Sequence, residues 1–218
     1  MKPIVSIIMM VSNDTKDSVK KTFDSLGFEI QTKNKEYLED EITYKKVIDN
    51  YLSIELLIAN KDCPTLEKGI FDTYQPLSTY YVGSINKNSS IAYIDLLSRC
   101  TSEYICIIEP NILLDTGWLE QLQIFHSHIN NSGIISIATN PNEHRLSVAL
   151  NNDEQFTHVL IPNNNIVDNI YFFKKELLNT CPFPYTDNDN PMTLFCYDIS
   201  KMGYTNYYIT TSFAIQHN

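Results

Sequence analysis

With 218 residues, 43% of them hydrophobic, the chain can bury one sizeable core, and a single domain is the expectation. A formal charge of -10 argues against a nucleic-acid scaffold, which would carry a clustered basic face. An anionic ligand can still bind through a metal ion, helix N-termini or a few placed cations.

Five cysteines (Cys63, Cys100, Cys106, Cys181 and Cys196) form no C-x-x-C pair and leave one odd thiol, the pattern of a reducing cytoplasm rather than a disulfide framework. Cys100 and Cys106 stand in apolar contexts and read as core residues. Met1-Lys2-Pro3 leads into a strand-like run shorter than a signal sequence, and no apolar stretch approaches the ~20 residues that span a bilayer. A soluble, cytoplasmic protein without a transmembrane segment is expected.

In chain order, Ile4 to Val11 is a continuous apolar run, the signature of a strand covered on both faces. Ser12 to Thr15 break it, and Val19, Phe23 and Leu26 follow at helical spacing to about Gly27. Residues 28–50 are charged and weakly periodic, a peripheral helix and loop. Ile54 to Ala59 is a second buried strand ended by Asn60-Lys61-Asp62-Cys63-Pro64. Thr65 is positioned to cap a short helix over Leu66 to Tyr74, and Tyr80 to Val82 reads as a third strand.

Ser89 or Ser90 is the expected cap of a helix carrying Ile91, Ile94 and Leu97. Tyr104 to Ile108 is the next strand. Asp115 then caps a helix through Trp118, Leu119, Leu122 and Phe125, and Gly133 to Ala138 is a further strand. Beyond it, Leu146 to Leu150, Thr157 to Ile161 and Ile170 to Phe173 read as strands between Asn-rich loops. Lys174 to Asn179 is a short helix, Pro191 to Met202 a longer one ending at Gly203, and Tyr207 to Ala214 one or two strands. Regular alternation predicts an α/β fold: a single doubly wound, mostly parallel (mixed) sheet flanked by helices.

Ligands of open α/β sheets bind outside the carboxyl ends of the strands. Three such ends are polar here: Ser12-Asn13-Asp14, Asn60-Lys61-Asp62 and Glu109-Pro110-Asn111. If the strands are neighbours these tips converge on one crevice; otherwise they are turns built from ordinary turn residues.

Several segments resemble family 2 glycosyltransferases. Val5 to Asn13 (V-S-I-I-M-M-V-S-N) is similar to the family's opening strand, V-S-I-I-I-P-T-Y-N, and Ile54 to Asn60 to Y-E-I-I-V-V-D. Asn86 to Tyr104 resembles N-x-G-x-x-x-A-x-N-x-G-x-x-x-A-x-G-E-Y without a gap, and the run on to Trp118-Leu119 resembles I-x-x-L-D-x-D-x-x-L-x-P-G-W-L. Asn169 to Leu178 resembles the strand and R-R-E helix; Ile199 to Tyr204 and Tyr207 to His217 resemble R-x-x-x-x-G-Y and the closing strand with its histidine. Nearly the whole chain is covered.

The resemblance implies a glycosyltransferase A-type domain over 1–218, with a nucleotide-binding half (1–115) and an acceptor-side half (116–218). It would transfer a sugar, with inversion, from a nucleoside diphosphate donor (UDP-type favoured) to a hydroxyl of a glycan or lipid-linked acceptor. Val11, Asn13, Asn60, Asp62 and Asn86 fall at nucleoside-binding positions, although Asp62 also reads as a turn residue. Glu109 and Asn111 replace the two Asp of D-x-D, and His217 matches a third metal ligand. Mn2+ or Mg2+ is the implied ion, held more weakly because Asn111 is neutral. The family's A-R-N is Ala92-Tyr93-Ile94, and its E-D base pair falls on Pro191 and Met192, which take no proton. Asp187 and Asp189, just upstream, are the substitute bases; a solvated Asn/Asp loop is the alternative. These departures keep open a second reading, a catalytically impaired homologue that binds nucleotide or sugar or serves in assembly.

Overall fold

The computed structural model describes residues 3–12, 16–25, 54–61, 78–82, 88–114, 118–137, 160–162, 169–187, 190–209 and 214–216. The helix expected over Leu66 to Tyr74, the strand over Leu146 to Leu150 and the elements of 28–50 lie outside them.

The strands are β1 (Val5–Ser12), β2 (Ile54–Lys61), β3 (Ser78–Val82), β4 (Tyr104–Ile108), β5 (Ile112–Leu114), β6 (Ser132–Ile137), β7 (Leu160–Pro162), β8 (Ile170–Lys174), β9 (Thr205–Ile209) and β10 (Ala214–Gln216). The helices are α1 (Lys16–Ser25), α2 (Ser89–Arg99), α3 (Trp118–His128), α4 (Leu177–Thr180) and α5 (Pro191–Lys201). Eight strands form one sheet in the order β3-β2-β1-β4-β8-β6-β9-β7, and β10 pairs with β5 separately. The first four strands are mutually parallel; β8 enters antiparallel between β4 and β6, and β7 runs antiparallel beside β9. The sheet is therefore mixed, as expected, with its parallel block at the amino-terminal end.

Why the apolar runs are unbroken is plain from the two faces. Ile7, Met9 and Val11 pack with Val19, Phe23, Trp118 and Leu122, so α1 and α3 cover one side. Ile8, Leu57 and Ala59 pack with Ala92, Leu96, Phe195, Cys196 and Ile199, so α2 and α5 cover the other. Period-two alternation sends successive side chains to opposite faces, and both faces must be apolar. The exceptions are satisfied. Glu55, buried in β2, accepts from Ser6 Oγ, from Thr101 N at 2.9 Å and from Thr101 Oγ1 at 3.1 Å, locking the turn after α2 to β1 and β2. Cys100, Cys106, Cys181 and Cys196 are buried and held in no disulfide, and burial pushes the Cys100 thiol up to about 12.

Two expectations are corrected. The cap of α2 is Asn88, not Ser89 or Ser90: its Oδ1 accepts from Ile91 N at 3.0 Å. The helix expected from Lys174 begins only at Leu177, because Lys174 ends β8 paired with Tyr104. The strands Ile112–Leu114 and Ala214–Gln216 form a ladder that the turn signals around them conceal.

The second half is pinned at Gly133. A Cβ there would lie 2.4 Å from Asn206 Oδ1 and 2.7 Å from Ile199 Cγ2. Buried Asn206 accepts from Ile134 N and donates to Cys196 O, both at 2.9 Å, and so ties β6, β9 and α5 together. Gly133→Ala should cost about 1–3 kcal/mol of stability in urea titration, as overpacking does, with the cost reduced when Asn206→Ser makes room. In the last turn of α3, buried His126 lies 3.2 Å from Ser132 Oγ and edge-on to Tyr104 and Phe172. Burial holds its imidazole below the ordinary 6.5, so the folded protein carries it neutral. The stability this contributes is full above that pH and is lost as pH falls through the folded value. Replacing it by His126→Gln should flatten the fall of the urea midpoint between about pH 7 and pH 5 relative to the parent.

Candidate functional site

The order of the strands creates the crevice. From β1 the chain steps to β2 and β3 on one side, then returns to β4 on the other, so the connections diverge at the carboxyl ends of β1 and β4. Val11 pairs with Asn60 and Ser12 with Lys61, which sets two of the polar tips side by side. Val11 and Asn60 are buried; Ser12 and Lys61 are half-buried. On the other flank Ile107 pairs with Ile8, and Glu109 leaves β4 two residues later.

Glu109-Pro110-Asn111 is a turn held from both sides. Glu109 N donates to Asn169 O at 2.9 Å, at the start of β8, which fixes the backbone where the carboxylate emerges exposed. Pro110 is buried. Asn111 Oδ1 is shielded from solvent yet accepts no hydrogen bond among the described residues. An orphaned amide oxygen is costly and asks for a partner. Just beyond, Ile112 pairs with Gln216, the residue before His217. A hard divalent cation takes oxygen donors and is commonly held by one or two carboxylates, with water and substrate phosphate filling the rest. One carboxylate and one unpartnered carbonyl oxygen fit such a sparse donor set, although no three His, Cys, Asp or Glu side chains cluster as a metal site among the described residues.

The third component is the first turn of α2. Asn88 caps the helix through Oδ1 while its Nδ2 donates to Thr186 O at 2.9 Å and to Asp187 Oδ1 at 3.1 Å. Ser90 Oγ donates to Thr186 O at 2.9 Å and accepts from Thr186 N at 3.2 Å. Lys61 Nζ reaches Ser89 Oγ at 3.5 Å, which brings a cation from the β2 tip to the helix end that already carries partial positive charge. One turn further, Tyr93 packs on Phe183 with ring centroids 5.6 Å apart. Burial, with the charge of Glu109 second, pushes the Tyr93 phenol well above its ordinary range. The residue at the arginine position of A-R-N is thus an aromatic prop between α2, the 181–187 segment and the β4 tip.

Of the expected site residues, Val11 and Asn60 stand adjacent, Glu109 and Asn111 share one turn, and Asp187 sits on the N-terminus of α2. Asn13, Asp62, Asn86, Asp189 and His217 lie outside the described residues. Pro191 and Met192, at the E-D positions, are buried in the first turn of α5. Asp187, by contrast, is exposed. Two residues escaped the sequence reading, Asn88 and Tyr185, whose hydroxyl donates to Asp187 Oδ1 at 3.1 Å, while Ser90, expected as a cap, instead holds Thr186. Asn88 carried a signal, an N-cap residue directly before the helical period, but two serines competed with it. Nothing local marked Tyr185.

No family profile and no curated protein sequence matches the chain. Solved structures do. Residues 1–349 of S. aureus TarS superpose with a TM-score of 0.61 at 13% identity, over 96% of this chain and 60% of that one. The mannosyltransferase PcManGT from Pyrobaculum calidifontis, in complex with GDP-Man and Mn2+, gives 0.61 at 13% identity, over 97% and 57%. TarS 1–349 in complex with UDP-GlcNAc gives 0.57 at 14%. The chain thus spans about three-fifths of the length of these neighbours, and it shares their fold, a mixed α/β sheet flanked by helices.

Proposed function

We propose that the protein is a glycosyltransferase that moves a sugar, with inversion, from a nucleoside diphosphate donor, UDP-type favoured, to an acceptor hydroxyl. The observation that carries the proposal is the meeting of the β1 and β2 tips with the first turn of α2 at the switch point of this fold. Val11 and Asn60 lie where a nucleoside would be held, with Asn13, Asp62 and Asn86 added from the sequence. Lys61 and the α2 terminus supply fixed positive charge for the diphosphate in a chain that is otherwise strongly acidic.

Glu109, Asn111 and His217 are the residues to hold Mn2+ or Mg2+, which would neutralise charge gathering on the departing nucleotide. Asp187 is the base, with Asp189 its alternate. As the acceptor oxygen bonds to the anomeric carbon, its proton passes to the carboxylate. The bond from that carbon to the diphosphate oxygen breaks, and the nucleoside diphosphate leaves with the electron pair.

A second reading, a catalytically impaired homologue acting in nucleotide or sugar binding or in assembly, is favoured by Pro191 and Met192. They are buried in a helix start where the resemblance expects an acid pair.

Thermal shifts with UDP, GDP and dTDP, each with and without Mn2+, test both. A nucleotide at a hundredfold excess over its Kd should add about 2.7 kcal/mol, roughly 5–10 °C at this chain length. Absence of any shift would remove nucleotide binding from both readings and leave only a role in assembly or sugar binding; a shift without turnover would select the second. Glu109→Ala should abolish the Mn2+ dependence of the shift. It should also slow hydrolysis of the donor sugar by at least about tenfold, the low end of what even outer-shell partners of a metal cost.

A further inference from the structure

We propose that Tyr185 is a platform for the acceptor's terminal sugar ring and the positioning residue that orients Asp187, so that the acceptor is a glycan. The inference rests on the proposed function, with Asp187 as base.

The 181–187 segment is built to present one aromatic and withdraw another. Phe183 is drawn inward, its ring 5.6 Å from Tyr93 and 5.1 Å from Phe195. Two residues on, in a segment without helix or strand, Tyr185 faces outward and is 63% exposed. Thr186 is clamped to α2 by Ser90 and Asn88, so the backbone carrying Tyr185 is anchored at the next residue. An aromatic ring left mostly in water on an anchored backbone costs hydration free energy. A ligand with a flat apolar face would recover that cost.

The hydroxyl explains the ring's place. Tyr185 Oη and Asn88 Nδ2 both donate to the same oxygen, Asp187 Oδ1, at 3.1 Å each. Asp187 Oδ2 receives no hydrogen bond among the described residues. Two donors from different segments fix the carboxylate on Oδ1 and leave Oδ2, with its own lone pairs, to face an incoming hydroxyl. The bond to Asp187 also raises the Tyr185 phenol above its ordinary range, which keeps it a donor. A sugar stacked on the ring therefore has its hydroxyl rim beside the carboxylate. A pyranose matches this pair of features, with an apolar C–H face and a polar edge. A lipid alcohol would need a continuous apolar groove, whereas the groups shown around the Tyr185 hydroxyl are polar, the Asp187 carboxylate and the Asn88 amide that shares it.

The test uses the whole chain, a panel of UDP-sugars as donors, methyl pyranosides as acceptors and dodecanol as the lipid control. Tyr185→Phe keeps the ring and deletes the donor. The KM for the methyl pyranoside should stay within about twofold while kcat falls about tenfold, the worth of a hydrogen bond to a charged group. Tyr185→Ala also deletes the ring and should raise that KM roughly three- to tenfold, in line with an aromatic pair. Asn88→Ser keeps a capping oxygen and should lower kcat as Tyr185→Phe does. Neither Tyr185 variant should move the UDP thermal shift. Saturation-transfer NMR of a methyl pyranoside should report contact in the parent and lose it in Tyr185→Ala.

An unchanged kcat in Tyr185→Phe would overturn the positioning role, and an unchanged acceptor KM and NMR contact in Tyr185→Ala would overturn the platform. Transfer to dodecanol in preference to every pyranoside would overturn the acceptor class. If the parent transfers from no donor to any acceptor, the proposed function fails and this inference with it. Parent transfer with unmoved variants overturns this inference alone.

Discussion

Asn88 holds two jobs that no other cap among the described residues combines, and the candidate site depends on both. Its side-chain oxygen satisfies one of the free donors at the start of α2, Ile91 N, while its amide nitrogen grips Thr186 and Asp187, residues nearly a hundred positions later. Ser90 and the Phe183 contacts add to that grip in keeping the 181–187 segment on the helix. Helix formation and assembly of the site are therefore one event at this residue. A cap is ordinarily worth about 1 kcal/mol, and here that interaction also sets where a carboxylate stands.

The sheet imposes the second constraint. Because β1 lies between β2 and β4, every polar tip must emerge on the same edge, and the apolar interiors of the strands leave chemistry nowhere else to go. The antiparallel entry of β8 adds a lateral brace, since Asn169 at its start holds the amide of Glu109. Rigidity at the backbone and exposure at the carboxylate are compatible only because different strands supply them.

Much of this was legible in the residues. Unbroken apolar runs of strand length announced β1, β2 and β4, since a strand covered on both faces has no polar alternation to hide it. The convergence of Asn60 and Glu109 followed once those strands were parallel neighbours. Other features were not legible, for physical reasons. Ile112–Leu114 and Ala214–Gln216 are three residues each, too short for any period, and exist through pairing across the chain. The cap of α2 was ambiguous among three consecutive good capping residues, and only the hydrogen bond from Ile91 N to Asn88 Oδ1 distinguishes them. The loneliness of Asn111 Oδ1 is a property of packing, invisible in a string of letters. Tyr185 looked like any loop tyrosine, because its meaning lies in a carboxylate two residues away and an amide on another helix.

The small ladder between β5 and β10 carries a consequence for how the molecule comes into being. The turn that bears Glu109 and Asn111 is continued by a strand whose only partner among the described residues is synthesised a hundred residues later. On a ribosome, β1, β2, β3 and β4 can meet and bury their faces while that partner has yet to be made. The sheet can thus form early, but the tip stays unfinished until the last strand docks. A nascent chain would have its scaffold well before the turn after β4 was complete.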